Sequence, residues 1–444
     1  MQKDYEQMGI YDLRNYARAM GVHSPTTLRR DELISKINEI INGKEPEPKK
    51  TNKGRPPRHK ANEEYVLDFI LPNNLFDNSS EFRYKTILNE KDRSSLKNIL
   101  SESSDIATDN ILFKGFYIQQ TADFGLACLK GYITKYAKEN TVILSELSNK
   151  YYLKNGDYIV GIAKFVAEKN VWLATEINYI NDVASKDISN RLVFDDIMPS
   201  YPNKILKLNG DDDFELINSI CPVAKGARIA LNLQNSYKKV DYVKHFLNTL
   251  SSNNNLRTML VSIDDSPEDV GSVMYDCKDV EICSLSSIQT REEFFEKVFN
   301  YINNCVNRLE FKQDLAIVFY NASKFIEAYA QNLIVSQNLT ENTAKIMATN
   351  KVKDIFNLCR MLDFGSLTIA MIDLPASLLD SANCVINFNA LPYKNTNVYL
   401  SIKTSATKNS DKILSKQQFE QSQNFVREFD ENIAQEQIKK YLNK

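Results

Sequence analysis

Along the 444 residues, the spacing of apolar positions changes character three times. Between residues 6 and 43 it is helical: Leu13, Tyr16, Ala17 and Met20 form one stripe, and Leu33, Ile34, Ile37 and Ile41 a second. Gly21 and Gly43 fit the left-handed stop that commonly ends a helix. From 111 to 182 the runs are short and rich in β-branched and aromatic residues, at Gly115–Gln119, Gly125–Leu129, Thr141–Leu144, Tyr158–Phe165 and Val171–Ile177. Asp123, Gly131, Asn140 and Asn155-Gly156-Asp157 punctuate them, which predicts five strands of a small barrel. From 214 to 430, candidate strands Arg228–Leu233, Thr258–Ile263, Glu281–Leu285, Leu315–Tyr320, Leu367–Ile372 and Val385–Phe388 alternate with candidate helices at 240–250, 291–308, 322–335 and 344–361. That order predicts an α/β unit with a mostly parallel sheet covered on both faces.

The intervening segments differ in kind. In residues 44–62, Lys49, Lys50, Lys53, Arg55, Arg58 and Lys60 sit among Pro46, Pro48, Pro56 and Pro57, with no acid between Glu47 and Glu63. Such a stretch buries no core and is expected to be an extended, solvated linker. Its Gly54-Arg55-Pro56 is similar to an AT-hook core, so Lys53, Arg55 and Arg58 are candidate contacts to phosphate or to A·T-rich DNA; a merely basic tether is the alternative. Residues 63–110 form an insertion of no assigned role, with a strand-like run at Tyr65–Leu71 and a short helix closing at Leu96–Leu100. Residues 183–213 connect the barrel to the α/β unit, and 431–444 form a helical tail. The triplet Asp211-Asp212-Asp213 is expected to be a solvated loop rather than a metal site.

Composition narrows the picture. With 55 basic and 57 acidic residues the formal net charge is -2, so any nucleic-acid field is local. The seven cysteines, at 128, 221, 277, 283, 305, 359 and 384, make no Cys-x-x-Cys pair and have no nearby His. That spacing argues against zinc and a disulfide framework, and for a reduced cytoplasmic setting. No signal-peptide core precedes the first helices, and no apolar run approaches the roughly 18 residues of a membrane span. Only 13 glycines occur, under half the usual share of about 7%. Glycine-rich phosphate loops are not expected in such a chain.

Tyr11-Asp12-Leu13-Arg14-Asn15-Tyr16-Ala17-Arg18-Ala19-Met20-Gly21-Val22, followed by Leu28-Arg29-Arg30-Asp31-Glu32-Leu33-Ile34, resembles the N-terminal helical module of transcription termination factor Rho. Leu153-Lys154-Asn155-Gly156-Asp157-Tyr158-Ile159-Val160-Gly161 and Ala122-Asp123-Phe124-Gly125-Leu126 resemble segments of that family's cold-shock-like OB-fold RNA-binding domain. Pro199-Ser200-Tyr201-Pro202-Asn203-Lys204-Ile205 resembles its connector, and Phe364-Gly365-Ser366-Leu367-Thr368-Ile369-Ala370 a strand of its RecA-like core. The resemblance covers the chain in order and implies a multidomain protein: a helical module at 1–43, the linker and insertion, an OB barrel at 111–182, the connector, and a RecA-like core at 214–430. It implies single-stranded RNA as ligand, with Phe124, Leu126 and Trp172 at the base-stacking positions. Leu126 replaces an aromatic there, Cys128 stands where an Arg is usual, and Ile143 replaces a Tyr. Phe124 and Trp172 read equally as barrel core.

The strand-to-helix turn after Leu233 is where that family holds ATP. A phosphate cradle requires glycines for close approach, a Lys for the β- and γ-phosphates and a hydroxyl for Mg²⁺. Under the resemblance Lys239 falls at the Lys, Lys238 at the preceding Gly and Val240 at the Mg²⁺-holding Thr. Asp265 falls at the catalytic Glu as a vestigial carboxylate, Tyr320 stands at the metal-holding Asp, and Lys403–Ser415 contains no Arg to serve as a finger. These substitutions imply a Rho-like RNA-binding protein linked to transcription termination that lacks ATP hydrolysis, binds no confident cofactor and no metal, and forms a homo-hexamer or co-assembles with a true Rho. The alternatives are a working RNA-dependent ATPase and helicase using ATP and Mg²⁺, and a DNA-tethering structural protein.

Overall fold

The computed structural model describes residues 28–41, 110–133, 140–166, 171–233, 238–252, 256–286 and 289–442, with isolated positions between 10 and 22. The linker at 44–62, the run at 63–109 and Gln234-Asn235-Ser236-Tyr237 lie outside the described residues. The chain divides into two compact units, Met1–Lys60 and Ala61–Lys444. In the first, helix α1 (Arg30–Ile41) starts where Glu32 accepts the Arg29 N–H at 2.8 Å, an acid in the first turn favoured by the helix dipole. Leu33 and Ile37 on this helix are buried with Leu13, Ala17 and Val22.

In the second unit, β1 (Asn110–Gln119), β2 (Phe124–Cys128), β3 (Asn140–Leu144), β4 (Tyr158–Val166) and β5 (Val171–Ile180) run β3-β2-β1-β4-β5, each antiparallel to its neighbour. A parallel pairing of Thr141 with Trp172 and Val142 with Leu173 closes the sheet into a barrel, and a short β6 (Val183–Ala184) extends β5. Alternation along the strands sends Phe113, Tyr117, Ala127, Ile143, Ile159 and Ile177 to one apolar cluster. The opposite face carries Ile118, Leu126, Cys128 and Val142. Gly161 sits at a register shift between β4 and β5, where a Cβ would come within 2.1 Å of the Glu176 carbonyl oxygen, so no larger residue fits there. A short helix, α2 (Ser145–Lys150), follows β3.

The α/β unit contains parallel strands β7 (Arg228–Asn232), β8 (Leu256–Ser262), β9 (Val280–Ser284), β10 (Asp314–Phe319), β12 (Ser366–Ile372) and β13 (Cys384–Asn387), in the order β13-β7-β12-β10-β8-β9. Two-residue strands β11 (Arg360–Met361) and β14 (Ala406–Thr407) add antiparallel to β12 and β13. Along β10 and the residue after it, Leu315, Ile317 and Phe319 enter one core cluster while Ala316, Val318 and Tyr320 enter another, so both faces are covered as the near-continuous apolar runs require. The helices are α3 (Asp212–Ile220), α4 (Lys239–Ser252), α5 (Pro267–Asp276), α6 (Arg291–Leu309), α7 (Ala322–Gln337), α8 (Glu341–Phe356), α9 (Lys416–Glu428) and α10 (Ala434–Tyr441).

Two sequence expectations are corrected. The acidic triplet is not a solvated loop: Asp211 caps α3 by accepting the Phe214 N–H, and Asp213 is buried. The helix expected at 344–361 runs from Glu341 to Phe356, because Arg360 and Met361 turn back to pair with β12. Helices α5 and α9 are not among the sequence-based candidates, although Ser266 caps the first by accepting the Asp269 N–H, with Pro267 in its first turn, and a Ser415–Gln418 capping box starts the second.

The barrel is fastened to the α/β unit by buried polar groups. On α6, Asn300, Asn304 and Asn307 share a face at helical spacing and donate to the carbonyls of Gly131, Gly156 and Asn155, at 2.9, 2.8 and 3.0 Å. Arg191 of the connector bonds Asp157 of the barrel through Nη1 at 2.8 Å and Glu310 beyond α6 through Nε at 2.6 Å. Arg308 pairs with Asp182 at 2.7 Å, and Arg257 joins Asp182 to Glu281. The two arginines hold the Asp182 carboxyl below its usual range against the opposing effect of burial.

Candidate functional site

Ligands of open parallel sheets bind beyond the carboxyl ends of the strands. At that edge the chain places the residues after β7, β8, β10 and β12, with the start of α4 beside them. Lys239 begins α4, and its ammonium lies 2.6 Å from Oδ2 of Asp373, the residue after β12, and 4.9 Å from the ring centre of Tyr320, the residue after β10. Lys238 lies over the Tyr399 ring at 4.8 Å. Val240 is half-buried against the core beneath the sheet, as a β-branched apolar side chain prefers.

After β8, Asp265 uses both oxygens inside the chain. Oδ2 accepts from Ser262 Oγ at 2.7 Å, and Oδ1 pairs with Lys324 of α7 at 3.0 Å. The preceding Asp264 has a left-handed φ of 58° and lies 2.9 Å from Arg291 at the start of α6. Tyr320 is buried, and burial together with the nearby Asp269 and Asp265 carboxylates pushes its hydroxyl pKa up.

Next to this edge Tyr242 packs on Phe388, with ring centres 4.6 Å apart, and donates its hydroxyl to Asp213 at 2.6 Å. Asp213 also accepts the N–H groups of Tyr399 and Leu400, at 2.9 and 2.7 Å. Burial raises the Asp213 pKa to about 6, opposed by these three donors. Asp373, Lys324 and Tyr399 are thus partners that the sequence reading left without roles. A lone acid directly after seven buried strand residues was the available signal for Asp373.

The barrel positions lie apart from this edge. Leu126 is 2% exposed and belongs to the cluster with Ile118, Cys128 and Val142, while Phe124 is half-buried against the same cluster. Trp172 is half-buried against the opposite, interior cluster, its ring centre 5.2 Å from that of Phe165. Lys53, Arg55 and Arg58 lie outside the described residues. Among the described residues no cluster of three or more His, Cys, Asp or Glu is arranged to hold a metal ion, and no helix is long and apolar enough to cross a membrane.

No protein-family model matches the chain. Over 229 residues, 49% of its length, it is 27% identical to transcription termination factor Rho of Borreliella burgdorferi. It is 24% identical over 225 residues to the Rho of Streptobacillus moniliformis and 22% identical over 235 residues to that of Pseudomonas aeruginosa. The chain is a relative of the Rho family. It spans about half the length of the curated Rho proteins it matches, 43% of the first and 54% of the next two. Among solved structures it is similar to an ATPase of a bacterial type III secretion system, at a TM-score of 0.43 and 10% identity over 52% of this chain and 70% of that one. It is similar also to the ATP synthase subunit NeqB of Nanoarcheaum equitans, at 0.43 and 11% over 53% and 62%.

Proposed function

We propose that this Rho relative is an RNA-binding protein linked to transcription termination that does not hydrolyse ATP itself. One observation carries the reading: where the sheet's carboxyl edge needs carboxylates to position Mg²⁺ and water, it offers a buried Tyr320 and an Asp265 whose two oxygens are already bonded to Ser262 and Lys324. Mg²⁺ demands near-octahedral oxygen coordination; neither Val240 nor a buried phenol supplies it, and the edge carboxylates Asp264, Asp265 and Asp373 are each paired with a cation of the chain, so this donor set does not fit the metal. Misplacing a catalytic group by about 1 Å can cost roughly 10²-fold in rate, and the Asp265 side chain is one methylene shorter than Glu.

RNA is assigned to the barrel, with Phe124 and Trp172 as the remaining stacking faces. Each stacked base is worth about 1–3 kcal/mol, and with Leu126 buried the affinity is expected to be modest. The helical module at 1–43 and the cations Lys53, Arg55 and Arg58 add a salt-sensitive contact to nucleic acid in the same reading. Assembly is as a homo-hexamer or together with a complete Rho, in the cytoplasm.

The test is RNA-stimulated ATP turnover by the purified full chain. No turnover above background is expected, and turnover that disappears in Lys239→Ala would overturn the reading. Competition between single-stranded RNA and A·T-rich duplex separates it from a DNA tether, since the RNA must win.

A further inference from the structure

Two hydrogen-bond donors flank the strand-to-helix turn that leads into α4. One is the backbone N–H of Leu233 at the end of β7, and the other is the Lys239 ammonium. A single carboxylate bridges them: Asp373 Oδ1 accepts from Leu233 N at 2.7 Å, and Oδ2 pairs with Lys239 Nζ at 2.6 Å. The Asp373 side chain is 4% exposed and that of Lys239 20%. Asp373 has a left-handed φ of 54°, which a non-glycine residue keeps only where its surroundings enforce it. They do so here. The Asp373 N–H donates to the Leu231 carbonyl at 2.9 Å, and its own carbonyl accepts from Ser323 Oγ at 2.8 Å.

We infer that Asp373 is a resident anion, which fills from within the chain the position between Leu233 and Lys239 and so keeps phosphate-class ligands out. Occupancy and repulsion act together, since an incoming oxyanion meets a like charge with little water to screen it. The inference rests on the non-hydrolysing reading and adds a cause to it: even before metal is considered, the anion subsite is taken.

The probe is inorganic tripolyphosphate without divalent metal, titrated into the full chain in a calorimeter. Wild type should give no saturable heat. Asp373→Asn keeps an oxygen for the Leu233 N–H but removes the charge, and Asp373→Ser empties more space. Both should bind tripolyphosphate at least about 10-fold more tightly than wild type, a gain of about 1.4 kcal/mol or more. Adding Lys239→Ala to either should abolish the gain. Variants with the wild-type circular dichroism spectrum that bind no better than wild type overturn the inference, as does binding that survives Lys239→Ala. An assay on wild type decides the matter should both variants misfold. Mass-mapped acetylation of Lys239, read against exposed Lys353, should be slow and unchanged by tripolyphosphate, whereas protection of Lys239 by the anion shows that the position is open. ATP turnover by wild type would sink the non-hydrolysing reading, while a failure of Asp373→Asn to bind sinks the resident anion alone.

Discussion

At the junction between barrel and α/β unit, the Asp157, Glu310 and Arg308 side chains are at most 1% exposed, and Arg191 between the first two is 6% exposed. At the carboxyl edge of the sheet, Arg291 and Asp264 keep 38% and 39% of their surface in water, and Lys324 keeps 41% although its partner Asp265 is 2% exposed. Both regions hold their charges in ion pairs of the chain, yet the pairs named differ in their exposure. A buried, several-partner pair leaves an uncompensated charge in low dielectric when one member is removed, whereas an exposed pair exchanges its partner for water at little cost. The junction therefore fixes geometry. At the edge, only the Arg291–Asp264 pair is open to water on both sides.

Substitutions can break or sharpen this contrast. Arg191→Ala leaves the buried Asp157 without a cation and Glu310 with Lys154 alone, and is expected to cost about 3–5 kcal/mol in denaturant unfolding. A loss under 1 kcal/mol would erase the distinction. Leu126→Ala is expected to cost about 2–4 kcal/mol as a cavity substitution. If RNA affinity fell instead with stability unchanged, Leu126 would belong to a binding surface. Asn304→Ala leaves the Gly156 carbonyl and Arg308 Nε short of a partner, for about 1–3 kcal/mol.

Glu296, on α6 beside the barrel, gives a pH signature. Burial pushes its pKa up to about 7 from an ordinary 4.5, against a hydrogen bond from the Ile133 backbone, with Glu292 and Glu293 adding to the rise. A folded-state pKa raised in this way favours the neutral form. Its stability contribution is complete below about pH 4.5 and is lost as pH rises through about 7. Thermal unfolding of Glu296→Gln should lack that slope. Smallest of all, Arg291→Ala should change stability by no more than about 1 kcal/mol.

The scaffold was largely legible because its signals are local. Leu315–Phe319 and Leu367–Ile372 read as buried strands from their unbroken apolar character, and the five barrel strands from alternation between turn residues. Helix α5 was not legible because only Val273 on it is buried, too thin a stripe for a periodicity reading. The partners at the candidate site escaped for another reason. Lys239 and Asp373 are 134 positions apart, and Asp213 reaches the Leu400 N–H across 187, so no sequence window contains either pair. The Asn face of α6 lay within reach of a window, but an Asn is informative only once the opposing carbonyl is known.

Helix α6 touches both of the regions contrasted above. Its first residue, Arg291, holds Asp264 beside the carboxyl edge, and its last turn carries Asn307 and Arg308 into the barrel junction. Nineteen residues at about 1.5 Å each make a strut of roughly 28 Å. A displacement of the barrel that moves this strut along its axis is expected to shift Arg291 at the sheet's edge with it.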